Sequence, residues 1–201
     1  MIAVGGLAAC TTEAPPPSNP GPVIVPGKPG EEASTIPPGK ATQAPSTPPT
    51  DADIEFVQDM IAHHQQAIWM SDLAPERASS RDVKELASRI SDVQGLEIGA
   101  MNQWLAKNAV PTVDPTAPGH HGGGSMPGMA TQEQLQALQN AKGTDFDTQW
   151  LRLMITHHEG AITMANEIRS TSLDDTVQKV ADDVVVEQTD EIGIMRGWLG
   201  S

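Results

Sequence analysis

The chain has 201 residues, of which 26 are acidic and 12 basic, so its formal net charge at neutral pH is −14. Such a chain repels phosphate backbones, and we predict no nucleic-acid partner. The single cysteine excludes a disulfide framework and a cysteine-rich zinc site. The absence of tyrosine excludes a tyrosyl radical, whereas nine methionines are many for this length.

The first ten residues, MIAVGGLAAC, end in a segment that resembles a bacterial lipobox. In that motif a signal peptidase cuts before the cysteine and the thiol is lipidated. We therefore predict that residues 1–10 are the remnant of a signal peptide and that Cys10 is the lipidation site. The apolar run is too short to span a bilayer. The expected location is extracytoplasmic, with a lipid anchor on the outer face of the bacterial cell membrane.

Residues 11–50 are rich in Pro, Thr, Ser and Gly. This composition buries too little apolar surface to offset the entropy of ordering. We predict a disordered tether that holds a folded domain, residues 51–201, away from the membrane.

The folded part contains an internal repeat. Shifted by 94 positions, residues 53–105 align with residues 147–199 without gaps, and about a third of the positions are identical. Apolar residues recur at spacings of three and four in two segments of each repeat, which is typical of helices. We predict an all-α protein, a four-helix bundle built from two duplicated αα-hairpins. The connector, residues 106–146, is expected to carry a short helix near 131–141 that Thr131 caps.

Potential metal ligands occupy the inward faces of the first and third predicted helices. Each of these helices carries a Met-x-x-His-His motif followed by a further methionine. Two histidines that are adjacent in a helix diverge by about 100° and are not expected to bind one ion together. The residues are Met60, His63, His64 and Met70 in the first repeat and Met154, His157, His158 and Met164 in the second.

A carboxylate falls at the predicted centre of the apolar arc on each of the other two helices. These residues, Glu97 and Glu191, are costly there unless they are paired, protonated or bound to a metal. Inward histidines of the facing helices are the expected partners. Met101 and Met195 lie one turn further along and complete the candidate site.

The connector contains the sequence PGHHGGGSMPGM, which is also rich in potential ligands. Short Met/His tracts of this kind can collect soft or borderline metals. The accessory candidates are His120, His121, Met126 and Met129, and a plain flexible linker is the alternative.

The doubled pattern of Met60, His63-His64 and Glu97 with Met154, His157-His158 and Glu191 resembles the DUF305 family. The segment Met126-Pro-Gly-Met129 is similar to it as well. The resemblance covers about residues 51–201 and implies a ferritin-like fold and copper handling outside the cytoplasm. It carries over to the Met-x-x-His-His positions. The chain has Gln94 and no Glu-x-x-His motif, which departs from classical di-iron sites.

Thioethers select Cu(I) and imidazoles suit copper, so the composition of the site favours copper, as Cu(I) or Cu(II), over iron or manganese. The leading hypothesis is a lipoprotein that sequesters copper or passes it to a partner protein. One alternative is a metal-dependent oxidoreductase that acts on peroxide or metal ions, although no substrate pocket can be identified and binding without turnover is expected. Another is a structural lipoprotein whose core contains Glu–His pairs.

Overall fold

The computed structural model describes residues 23–25, 32–37, 48–113 and 126–200. The chain divides into two units at the junction of Ser46 and Thr47. Each unit is described separately.

The first unit contains a short antiparallel pair of strands, β1 (Val23–Val25) and β2 (Ser34–Ile36). Val23 pairs with Ile36 and Val25 with Ser34. These strands lie within the predicted disordered tether, because the proline content of residues 11–50 as a whole favours disorder and hides a short extended segment. The three consecutive β-branched residues of β1 favour an extended backbone locally.

Apart from one isolated bridge between Ala78 and Gly143, the regular elements described in the second unit are all helices. Four long helices form two antiparallel hairpins, α1 with α3 and α5 with α6, and α1 also packs on α5. This confirms the predicted helical bundle. The helices are α1 (Asp51–Asp72), α2 (Ala74–Arg77), α3 (Arg81–Lys107), α4 (Gln132–Asn140), α5 (Thr144–Arg169) and α6 (Asp175–Leu199).

Side chains at the helix starts account for several of these boundaries. The hydroxyls of Thr50 and Thr131 accept hydrogen bonds from the third residue of α1 and of α4, and both form capping boxes. Thr131 is the cap that the sequence predicted. Helix α1 ends at Asp72, and Pro75 lies in the first turn of α2, where its missing N–H costs nothing.

The bundle core consists of two hydrophobic clusters that succeed one another along the helices. The Phe56 cluster includes Met60 from α1 and Met164 from α5. The Phe146 cluster includes Met70 from α1 and Met154 from α5. Helix α1 therefore runs from the Phe56 cluster to the Phe146 cluster and α5 runs the opposite way. The paired histidines of both helices lie in the layer between the two clusters.

Among the described residues no helix is both long enough and apolar enough to cross a membrane.

Candidate metal centre

Four histidines form a fully buried layer at the contact between α1 and α5. Each of them, His63, His64, His157 and His158, is 0% exposed. The rings of His63 and His157 face each other with centroids 3.8 Å apart and planes tilted by 43°. The histidines that the sequence singled out therefore do come together in the middle of the bundle.

Two of the four histidines are paired with carboxylates. His64 Nε2 donates to Glu97 Oε2 and His158 Nε2 donates to Glu191 Oε2, each at 2.8 Å. This confirms the expected partnership between the glutamates and the histidines of the facing helices. On α1 the adjacent histidines also bond different groups, as their 100° divergence predicted, since His63 bonds the carbonyl of Pro127.

The glutamates are less buried than the sequence analysis expected. The side chains of Glu97 and Glu191 are 22% and 12% exposed, so they lie at the border of the core. Its centre is occupied by Gln94 on α3 and Gln188 on α6, each 3% exposed. The apolar residues on both sides of Glu97 along α3 placed it at the centre of the helix face, but the buried row runs through Ile90, Gln94 and Ile98. A border position lets the carboxylates keep contact with water while they bind the histidines.

The other two histidines have different surroundings. His63 Nε2 donates to the backbone carbonyl of Pro127 at 3.0 Å. The proton on Nε2 leaves Nδ1 of the neutral His63 ring as a lone-pair donor. This atom is buried without a hydrogen-bond partner, and so are the Nδ1 atoms of His64 and His158. Neither ring nitrogen of His157 makes a hydrogen bond of normal geometry among the described residues, although the backbone carbonyl of His63 lies near the ring.

Burial keeps the central pair neutral. It lowers the pKa of His63 to about 3, although the Pro127 carbonyl acts in the opposite direction. Burial also lowers the pKa of His157 well below its usual value, and the neighbouring histidines, His63 foremost, lower it further, while the backbone carbonyl of His63 acts in the opposite direction. Neutral imidazole is the form that binds a metal ion, so both rings are ready to act as ligands at neutral pH.

The six candidate methionines of the helices are all buried, three in each hydrophobic cluster. Met60 and Met154 are 0% exposed and come three residues before the first histidine of their motif, so they share a helix face with it. Met164 is 8% exposed. The Phe56 cluster holds Met60, Met101 and Met164, and the Phe146 cluster holds Met70, Met154 and Met195.

Part of the predicted accessory loop lies on the histidine layer. We call residues 126–130 the strap; it begins with Met126 and Pro127 and includes Met129, and both methionines are partly exposed. The strap is fixed to α1 by the bond from His63 to Pro127 and by Gln66, whose amide bonds both the N–H and the carbonyl of Ala130. His120, His121 and Cys10 lie outside the described residues.

A cleft of about 480 Å³ opens between α1, α5 and the strap. Its walls carry the carboxylates of Glu55, Asp59 and Glu167 together with the thioethers of Met126 and Met164. Burial raises the pKa of Asp59, and the charge of Glu55 raises it further. The negative field of the cleft favours cations.

No three His, Cys, Asp or Glu side chains in the described part of the chain converge on one point as a preformed metal site. The arrangement instead offers pairs of imidazoles with methionines on either side. Two- and three-coordinate sites of soft ligands suit Cu(I), whereas harder ions require more oxygen ligands.

Sequence reasoning missed two residues that shape this layer. Pro127 was noted only as part of a methionine-rich tract, and Gln66 was not singled out. The available signal was the mismatch between the repeats, since Gln66 aligns with Gly160 at the position that follows the two histidines by two residues.

Comparison with known proteins places the fold in a family. Residues 53–199 match the family described as "Domain of unknown function (DUF305)". A DUF305 structure from Streptomyces coelicolor, described as a secreted protein, is 34% identical, with a TM-score of 0.66 over 74% of this chain and 92% of the other. A DUF305 fragment from Deinococcus radiodurans is 33% identical, with a TM-score of 0.67 over 77% and 99%.

Structures of the protein CopM also resemble the chain. Its Cu(I)-bound form is 30% identical with a TM-score of 0.59, and its Cu(II)-bound form is 33% identical with a TM-score of 0.63. Each covers 73% of this chain and 94% of CopM. No curated protein matches the chain. The family match spans most of the chain and the structural neighbours agree with it, so the chain belongs to the DUF305 family.

Proposed function

We propose that this protein binds copper outside the cytoplasm, with Cu(I) preferred, and sequesters it or passes it to a partner protein. The ligands are drawn from the histidine layer and from the methionines beside it. Glu97 and Glu191 orient His64 and His158 from the border of the core. The relationship to CopM, which was crystallised with Cu(I), Cu(II) and silver, supports the choice of metal.

The observation that carries the proposal is the state of His157. Its ring is fully buried, yet neither nitrogen has a hydrogen-bond partner in the described residues. A buried polar group without a partner costs folding free energy and calls for a functional explanation. Metal binding supplies one, because a soft cation between His157 and His63 satisfies lone pairs that the protein leaves open.

A structural role for the polar core is the second candidate, and one observation favours it. The His64–Glu97 and His158–Glu191 bonds are the pairs that such a core would contain. This reading accounts for only half of the layer, since it gives no reason for the unpaired nitrogens of His63 and His157. An oxidoreductase has less support, because both glutamates at the border of the core are already bonded to histidines and few other carboxylates of the described residues lie near the layer to bind iron or manganese.

Attachment through Cys10 completes the proposal. A lipid on this thiol would hold the copper-binding bundle at the outer face of the membrane, and residues 11–50 would serve as its tether. Cys10→Ala is expected to move the protein from the membrane fraction to the soluble fraction of the cells that express it. Retention of the variant in the membrane fraction would count against the anchor.

An anaerobic Cu(I) titration against a chromophoric chelator tests the binding function. The Cys10→Ala chain serves as the reference, so that a free thiol does not contribute. We expect tight binding that His63→Leu with His157→Leu abolishes and that His120→Gln with His121→Gln leaves in place. Unchanged affinity in the first double variant would refute the core site, and loss of binding in the second would move the site to the connector.

A further inference from the structure

The two repeats differ where the strap crosses them. Gln66 in α1 and Gly160 in α5 occupy equivalent positions, two residues after the paired histidines. Gln66 Oε1 accepts from Ala130 N at 2.6 Å, and its Nε2 donates to Ala130 O at 3.1 Å. Both backbone groups of one strap residue are thus held by a single side chain that is itself only 2% exposed.

At the equivalent position of α5, Gly160 leaves room for the strap backbone, whereas Gln66 of α1 forms hydrogen bonds to it. A Cβ atom at Gly160 would collide with the carbonyl of Pro127 and would approach Gly128 Cα within 2.7 Å. Gly128 in turn has a φ of +80°, and a Cβ there would lie 2.9 Å from the carbonyl oxygen of His157. The backbone of the strap therefore packs directly on the backbone of α5. Only glycine permits this close approach on both sides of the contact.

The strap makes the environments of the central histidines unequal. The His63 ring donates to the Pro127 carbonyl, whereas His157 approaches Gly128 with its backbone carbonyl and its ring makes no such bond. A segment that only linked two helical hairpins would not require a glutamine in one repeat and a glycine in the other. Its fit over the His63–His157 pair is therefore a specific feature of the fold.

We propose that Gln66 is a positioning residue that holds the strap closed over the His63–His157 pair, and that metal reaches the pair when the strap lifts. The part of this inference that concerns metal access rests on the proposed copper function, whereas closure of the strap does not depend on it. The acidic cleft shares Met126 and Pro127 with the strap. A cation bound in the cleft therefore lies beside the end of the strap that moves when the strap lifts.

Hydrogen exchange of the metal-free, full-length chain tests the closure. Gln66→Leu removes both bonds to Ala130, and Gly160→Ala displaces the strap from the other side. We expect each variant to accelerate amide exchange of Met129 and Ala130, the strap residues whose N–H groups donate hydrogen bonds, about tenfold or more, while exchange in α3 and α6 stays within twofold of the wild type. The Gln66→Leu variant keeps the proposal testable if Gly160→Ala fails to fold.

Matched controls separate this effect from a general loss of stability. Gln65→Leu alters the neighbouring glutamine, which is also buried but makes no hydrogen bond to the strap. Gly99→Ala places a methyl group on a helix where nothing lies within 4 Å. Neither control is expected to change exchange in residues 126–130. Exchange rates within twofold of the wild type in both Gln66→Leu and Gly160→Ala would overturn the proposal.

The rate of metal capture tests the consequence. In stopped-flow mixing with Ag(I), a redox-stable substitute for Cu(I), Gln66→Leu is expected to capture the ion about tenfold faster than the wild type, with an unchanged number of ions bound. Equal capture rates in a variant with accelerated exchange would overturn the gating claim. If the wild type binds no Ag(I) or Cu(I), the proposed function fails, whereas the exchange experiment still decides whether Gln66 closes the strap.

Discussion

Replacing His157 by leucine should stabilise the metal-free protein while it removes a copper ligand. In the fold His157 is 0% exposed and neither ring nitrogen has a partner in the described residues. An ordinary core substitution destabilises a protein, typically by about 1 kcal/mol. An increase in the free energy of unfolding on His157→Leu would show that the histidine is retained for a reason other than stability.

The expected magnitude follows from two opposing effects. Removal of a buried polar group without a partner raises the free energy of unfolding by about 1–3 kcal/mol. Loss of the ring contact with His63, at a centroid distance of 3.8 Å, costs about 0.5–1.5 kcal/mol. The net gain is roughly 1 kcal/mol, which corresponds to a Tm increase of about 2–4 °C for a domain of this size.

The assay is urea and thermal unfolding followed by circular dichroism in the presence of a copper chelator. The adjacent residue provides the control, because His158→Leu leaves Glu191 without the partner it holds at 2.8 Å. That variant should lose stability, by about 1–3 kcal/mol. If His157→Leu destabilises the protein as much as His158→Leu does, His157 is a satisfied core residue and the reasoning fails.

Three further predictions concern acid, thioethers and a helix cap. The unfolded chain takes up a proton at His63 below pH 6.5, but the folded protein does so only near pH 3, so the free energy of unfolding should fall by up to about 1.4 kcal/mol per pH unit as pH is lowered through this window. Urea unfolding between pH 7 and 4 measures this slope, and His63→Leu should reduce it. Met60→Leu with Met154→Leu should change stability by less than about 1.5 kcal/mol per site and yet weaken Cu(I) binding about tenfold or more in the chelator titration. Asp147→Ala removes the carboxylate that accepts from Ser79 N and Ser80 N at 3.0 and 2.9 Å, so it should cost about 2 kcal/mol of stability in urea unfolding without a change in Cu(I) affinity.

The helical fold and the location of the histidine layer could be predicted from the sequence because both depend on periodicity. A repeat with Met-x-x-His-His in equivalent places puts the same residues on the inner faces of two helices. The partnership of His64 with Glu97 also followed, since a carboxylate near a core needs a partner and histidines were the ones available. Thr131 could be identified as a cap from its position before a helical segment.

The contacts of the strap could not be predicted, because they depend on tertiary geometry. Nothing in the local sequence shows that the Pro127 carbonyl accepts from His63 or that Gln66 reaches Ala130, more than sixty residues away. The depth of Glu97 was also misjudged, since a border residue and a central residue of a helix face differ by a small rotation. Such distinctions depend on how neighbouring helices pack and not on the pattern within one helix.

Copper K-edge X-ray absorption of the Cys10→Ala protein loaded with one equivalent of Cu(I) tests whether the ion binds in the histidine layer. We expect a coordination shell of imidazole nitrogen and thioether sulfur, and loss of the imidazole contribution in the His63→Leu/His157→Leu protein. A shell without imidazole, or a spectrum that this double variant leaves unchanged, would contradict a copper site in the histidine layer.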